Sequence, residues 1–253
     1  MSIDILLGLV SAAFAALMVL YMRQRRRRMR LLQLMAQTSH ELKVPLNSIM
    51  GFAALINSES YGRLGDPKYL ECASMITESG RYMQRLIADY VQWAQLQDGY
   101  YKPVSSEFAV GPLLDEAMKM VRAMPVAGGK KFEVLSDNNL MLRSDRAGVQ
   151  KILLNLLSNA VKFTGENGRI EVAAVQTQRG VEIAVSDDGR GMDKSQLKRL
   201  GRPFVKFTGD GNAQGSGLGI SIVHQLARAL KIKLKIQSQP DQGTKAVLLF
   251  KGK

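Results

Sequence analysis

With 253 residues, 46% of them hydrophobic, the chain is long enough for two small folded units, each with a buried core. The formal net charge of +13 points to phosphate-rich partners or a membrane surface, but six of those charges lie in RQRRRRMR, residues 23–30, and removing them leaves about +7, thinly spread. The single cysteine, Cys72, excludes an internal disulfide scaffold and a CxxC zinc site, and reads as a small buried residue.

The first predicted element is an apolar run over residues 5–22, with LLGLVSAAFAALMVLYM as its body. At about 1.5 Å per residue it covers roughly 27 Å, enough to cross a hydrocarbon core. A cleaved signal peptide carries its cations before the apolar stretch, whereas these arginines follow it. The positive-inside rule predicts a transmembrane anchor over 1–22, a basic juxtamembrane segment over 23–30, an outside amino terminus and cytoplasmic residues thereafter. A cleaved signal and a peripheral amphipathic helix are the alternatives. The arginines are read as a topology signal, so no nucleic-acid partner is expected.

Residues 31–98 carry a heptad-like stripe. Apolar or small residues recur at alternating steps of three and four: Met35, Thr38, Leu42, Pro45, Ile49, Phe52, Ile56. After the polar turn SESYGRLGDP the stripe resumes at Tyr69, Ala73, Ile76, Gly80, Met83, Ile87, Tyr90 and Ala94. Two helices joined by a short turn make a hairpin, and one hairpin cannot bury a two-sided stripe, so a homodimeric four-helix bundle is predicted. Within SHELKVPLNSIM, residues 39–50, Pro45 cannot donate to the carbonyl of Glu41, which puts a kink beside His40.

DGYYKP ends the helical pattern and opens a linker over 99–106. In 107–253 the two periods mix. Residues 111–124, 145–163 and 216–229 read as helices; IEVAAVQ with VEIAVSD reads as one hairpin, and LKIQSQPDQGTKAVLLF as a closing one. Strands and helices that do not alternate regularly predict an α+β sandwich, one sheet with helices on one face.

Three motifs in this part suggest chemistry. In NLLSNAVKFT, Asn155, Asn159 and Lys162 project from one helix face, offering amide oxygens suited to Mg²⁺ and a cation suited to phosphate. In SDDGRGMD, Asp187 can accept from a purine amine, while Gly189 and Gly191 let backbone approach a ring. In GSGLGIS, Gly215, Gly217 and Gly219 expose backbone N–H groups at a helix start. The stretch 201–214, with Phe204 and Lys206, reads as a lid. Taken singly, each is equally a polar helix face, a plain turn or a glycine-rich helix start.

Their order is more specific. SHELKVPLNSI resembles the H-box, NLLSNAVKFT the N-box, DDGRGM the G1 box, RPF the F-box and GSGLG the G2 box of bacterial two-component sensor histidine kinases, over about residues 35–250. The second hairpin helix is more weakly similar to alphaproteobacterial kinases of the PleC/DivJ type. The resemblance implies a dimerisation and phosphoacceptor (DHp) hairpin over 31–98, followed by a Bergerat/GHKL ATP-binding domain over 107–253. It implies that His40 takes a phosphoryl group from ATP with Glu41 as the neighbouring acid or base, that Asn159 coordinates Mg²⁺ with Asn155 beside the same phosphates, and that Lys162 contacts phosphate. Asp187 would hold the adenine amine. Gly189, Gly191, Gly215, Gly217 and Gly219 would shape the pocket, with Phe204 in the lid.

The implied partners are a second copy through the DHp helices, the receiver domain of a separate response regulator, and the bacterial inner membrane. Where hydrolytic relatives of this ATP fold place a glutamate, this chain has Asn155, which favours transfer to His40 over ATP hydrolysis. A catalytically weak signalling scaffold and a GHKL ATPase are the alternatives. No receiver domain is expected after Gly243, no PAS- or HAMP-like insertion between residues 30 and 35, and no sizeable domain outside the membrane. His224 is expected to be structural. Val44 departs from the family, which usually has Thr or Asn four residues after the histidine, where it orients water for dephosphorylating the regulator. Reduced phosphatase activity is therefore expected.

Overall fold

The structure is a computed structural model and describes residues 18, 19, 21, 22, 42–97, 101–137, 139–205, 207 and 216–251. Most of the expected membrane span, the arginine run, His40, Glu41, Gly215 and most of the expected lid lie outside these residues. Among the described residues no helix is long and apolar enough to cross a membrane. The chain divides into two compact units, Met1–Leu86 and Ile87–Lys253.

In the first unit, α1 is described over 42–57 and α2, Pro67–Gln97, begins after a turn; the residues of α2 from Ile87 on belong to the second unit. The turn is closed by Tyr69, whose hydroxyl donates to the Gly62 carbonyl at 2.6 Å and accepts from the Tyr61 N–H at 3.2 Å. The Tyr61 and Tyr69 rings meet at 5.9 Å, and the Lys68 ammonium lies 5.1 Å from the Tyr61 ring centre. Pro45 is buried within α1, while Val44 beside it is exposed. Along α2 the best-buried apolar positions are Tyr69, Cys72, Leu86 and Trp93, and Ala73 and Ile87 of the expected stripe are exposed. Buried Cys72 and Leu86 are thus each offset by one residue from Ala73 and Ile87 of the expected stripe, while Trp93 belongs to the second unit.

The second unit contains the expected sandwich. Its sheet has the strands β2 (Lys131–Ser136), β4 (Arg169–Thr177), β5 (Gly180–Asp187), β6 (Lys233–Ser238) and β7 (Thr244–Lys251) in the order β2-β4-β5-β7-β6. Only β2–β4 is parallel. A separate antiparallel pair joins β1 (Ser106–Ala109) to β3 (Met141–Ser144). Alternate residues Ile170, Val172, Ala174 on β4, Ile183, Val185 on β5 and Ala246, Leu248, Phe250 on β7 are buried. Three helices cover this face: α3 (Val110–Arg122), α4 (Arg146–Phe163) and α6 (Gly219–Ala229).

Helix α4 is the central element. Its buried stripe, Val149, Ile152, Leu153, Leu156, Leu157, Ala160 and Val161, packs between α3 and α6 over the sheet, each large side chain contributing about 1.5–3 kcal/mol. Its start is set by Asp145, whose Oδ1 accepts from the Gly148 N–H at 2.9 Å. Asp145 Oδ2 accepts from the Tyr101 hydroxyl at 2.9 Å and the Val104 N–H at 3.0 Å, which staples the segment before β1 to the helix. Burial pushes the Asp145 carboxyl up, but these N–H and O–H donors outweigh it and hold the group below the usual carboxylate range. Its partner Tyr101 is pushed up to about 12 by burial and by the carboxylate.

Candidate functional site

The polar face of α4 lies between two glycine-rich turns. At its middle, a side chain at Gly219 would meet Asn155 Oδ1 at 2.9 Å, so the start of α6 sits against the Asn155 amide. Asn155 is itself oriented, because its Nδ2 donates to the Lys151 carbonyl at 2.9 Å. At its end, the Phe163 carbonyl accepts from the Arg190 N–H at 3.2 Å, and a side chain at Gly189 would run into the same carbonyl. Between these contacts stand half-buried Asn159 and exposed Lys162. The spacing of four and three read from the sequence therefore becomes a polar strip bounded by the G1 and G2 turns.

Asp187 ends β5 and is half-buried. Its Oδ1 accepts from the Gly189 N–H at 3.0 Å. Burial pushes its carboxyl up and the Asp188 charge adds to this, while hydrogen bonds from the backbone N–H groups of Gly189 and Thr244 act the other way. Thr244 is its register partner on β7, and Gly243 must be glycine: φ is +77° and a side chain would overlap the Asp187 carbonyl. Gly191, at φ +62°, is likewise pressed against the Gln239 carbonyl. Asp241 N–H donates to the Arg190 carbonyl at 2.8 Å, and the Arg190 guanidinium stacks 4.7 Å from the Phe163 ring centre. The turn after Asp187 is thus fixed from both sides.

The turn then enters α5 (Lys194–Arg199) through a capping box: Asp193 accepts from the Ser195 and Gln196 N–H groups, and Gln196 accepts from Asp193 N–H. Beyond it, Phe204 adopts φ +61° and its N–H donates to the Gly217 carbonyl at 3.0 Å. A side chain at Gly217 would come within 2.9 Å of the Phe204 backbone. These two predicted residues therefore meet at the base of the intervening segment. His224 packs its ring against Gly201, and burial, with the Arg228 charge, holds it below its ordinary pKa.

The strip suits a metal only in company with phosphate. Among the described residues there is no cluster of three or more His, Cys, Asp or Glu side chains able to hold an ion alone. The amides of Asn155 and Asn159 supply neutral oxygen, so Mg²⁺ fits here when phosphate oxygens complete its shell. Sequence reasoning missed Lys151, Ser216, Gly243, Thr244 and the Arg190–Phe163 stack. In sequence Gly243 is only one residue of the closing hairpin; the register that brings it to Asp187 is a long-range property.

The profile of the histidine kinase-, DNA gyrase B- and HSP90-like ATPase family matches residues 144–253, and that of the His Kinase A (phospho-acceptor) domain matches residues 30–99. Histidine protein kinase DivJ of Caulobacter vibrioides is 34% identical over 212 residues, covering 83% of this chain and 35% of that protein. The crystal structure of ShkA in complex with AMPPNP aligns with a TM-score of 0.63 at 26% identity, over 84% of this chain and 44% of the other. ThkA in complex with the response regulator protein TrrA aligns with a TM-score of 0.69 at 22% identity, over 89% and 63%, and shares the fold. The chain spans between 26% and 41% of the length of the first three curated relatives it matches.

Proposed function

We propose, on the premise that this chain belongs to the two-component sensor histidine kinases, that it phosphorylates its own His40 from ATP and passes the phosphoryl group to an aspartate of a separate response regulator. The observation that carries this reading is the α4 strip of Asn155, Asn159 and Lys162 bounded by the Asp187–Gly191 and Gly217–Gly219 turns. Asp187 accepts from the adenine amine, and the glycine backbone lies against the ring. Bound Mg²⁺ neutralises phosphate charge. Asn159, with Asn155 beside it, would hold the metal–phosphate end, and Lys162 would add a point charge to it.

The protein's part in transfer is positioning. A nitrogen of neutral His40 attacks the γ-phosphorus, the bond from that phosphorus to the bridging oxygen breaks, and ADP leaves with the electron pair. Glu41 takes the imidazole proton and steadies the developing positive charge. An amide at position 155 cannot activate water, which directs the phosphoryl group to imidazole. Two chains pair through α1 and α2, and the apolar run over 5–22 anchors the kinase to the bacterial inner membrane with its amino terminus outside and its catalytic parts in the cytoplasm.

The test is incubation of residues 31–253 with γ-labelled ATP and Mg²⁺, comparing wild type with His40→Gln. Acid-labile, alkali-stable label present only in wild type is the expected result. Unlabelled protein that turns over ATP would replace the kinase by an ATPase, and protein that does neither would leave a scaffold.

A further inference from the structure

The glycine-rich turn before α6 is engaged by an anion from the protein itself. Ser216, buried, donates its hydroxyl to Asp89 Oδ2 at 2.6 Å and accepts from the Leu218 N–H at 3.2 Å. Asp89 lies on the last turns of α2, in the same compact unit as Ser216. One helical turn further on, Trp93 is buried and stacks on Tyr90 with ring centres 6.5 Å apart, which fixes this part of α2. Lys151 on α4 feels the charge of the same carboxylate. It precedes Asn155 by one turn of α4, so Lys151, Asn155 and Asn159 share the polar strip. Burial lowers the Lys151 pKa, and the Asp89 charge opposes that shift.

A carboxylate that accepts from a hydroxyl at a G-x-G helix start, with a lysine of the neighbouring polar strip under its charge, occupies the surroundings of a phosphate oxygen. We propose that Asp89 is a built-in competitor for the terminal phosphate of the bound nucleotide, holding Ser216 until the γ-phosphate of ATP takes it. This rests on the ATP reading above. A full negative charge at Asp89 repels a third phosphate entering beside it, so nucleotide entry and release of Asp89 are the two sides of one exchange. Adenine nucleotides without a γ-phosphate do not enter that exchange. The device would make the α6 turn respond to ATP and ignore ADP.

Asp89→Asn separates charge from tether, because the amide oxygen still accepts from Ser216. The full chain, its Asp89→Asn variant and its Lys151→Met variant are titrated calorimetrically with Mg²⁺ and either AMP-PNP or ADP. Asp89→Asn is expected to tighten AMP-PNP about tenfold, the scale of one charge-assisted hydrogen bond, and to change ADP less than about twofold. Lys151→Met is expected to weaken AMP-PNP by a similar factor with ADP unchanged. Equal tightening of both nucleotides by Asp89→Asn would mean a tether that merely blocks the pocket, and no change in either would leave Asp89 structural; both overturn the proposal. Wild type that binds neither nucleotide would overturn the ATP reading itself, and the inference with it.

Discussion

The hairpin and the sandwich dispose of their apolar side chains in opposite ways. In the sandwich, Leu113, Leu114, Ile152, Leu153, Leu157, Ile183 and Leu248 have no exposed surface, so one chain completes its own core. In the hairpin, Val44, Met50, Leu70 and Met75 are 57, 63, 76 and 44% exposed. Both regions follow the same physics, but only the first closes it within a single chain. A sheet with helices on one face has two layers to interdigitate, whereas two helices have one contact line and two flanks left over. The difference assigns stability to the sandwich and leaves the flanks of the hairpin for the pairing proposed above.

The largest effect expected from this contrast is in the sandwich. Leu157→Ala removes a fully buried side chain from the middle of α4 and should cost about 2–5 kcal/mol in denaturant unfolding of the second unit. A loss below about 1 kcal/mol would mean that α4 is not the keystone of that core. Met50→Lys should do the reverse. On an exposed helix face it changes monomer stability by less than about 0.5 kcal/mol, but a lysine in a dimer seam costs about 1–3 kcal/mol, so the sedimenting mass should fall toward that of one chain. An unchanged mass would move the dimer seam elsewhere.

What could be read from the sequence follows the same division. Both hairpin helices, α4, the β4–β5 hairpin and the β6–β7 hairpin were legible because each carries its period over enough residues, with glycine or proline at its ends. SEFA, KFEVLS and MLRS are too short or too weakly alternating to declare themselves, and the parallel pairing of β2 with β4 has no local signature. The third helix begins at Gly219 and not at 216, because Ser216 turns its hydroxyl to Asp89 and to the Leu218 N–H. In the site, Asp187, Asn155, Gly217 and Gly219 were found by residue type and spacing. Asp89 was not, since it reaches Ser216 across 127 positions.

Two carboxylates in the sandwich sharpen the contrast between structural and site residues. Asp145 has a depressed pKa when folded, so its stabilising contribution is present above the ordinary carboxylate value of about 3.9 and is lost as pH falls through the folded value. Asp145→Asn should therefore cost about 1 kcal/mol at pH 7, with the difference from wild type shrinking on acidification below about pH 4. Asp187 is raised, and its sign reverses: what it contributes to stability is present below the unfolded value and is lost as pH rises through the folded one. At pH 7 its charge opposes folding. Asp187→Asn keeps an acceptor for the Gly189 N–H, and should leave stability equal to or above wild type while adenine-nucleotide affinity falls. A variant that is both destabilised and binding-competent would exchange the roles assigned to these two residues.

The smallest expected effect on stability lies in the hairpin, at Val44. Val44 is exposed on α1, and Ser48 one turn on donates to its carbonyl at 3.2 Å, so Val44→Thr should change unfolding by less than about 0.5 kcal/mol. Its chemistry is a different matter. A hydroxyl one helical turn after His40 supplies a donor and an acceptor with which to orient a water molecule, and an isopropyl group supplies neither. We therefore expect wild type to dephosphorylate its regulator slowly and Val44→Thr to do so faster, while His40 labelling stays the same. The readout is decay of phosphorylated regulator with and without the kinase and ADP. Brisk decay with wild type, unchanged in the variant, would show that an exposed apolar residue beside the phosphoacceptor does not limit hydrolysis. The hairpin's exposed side chains would then serve association alone.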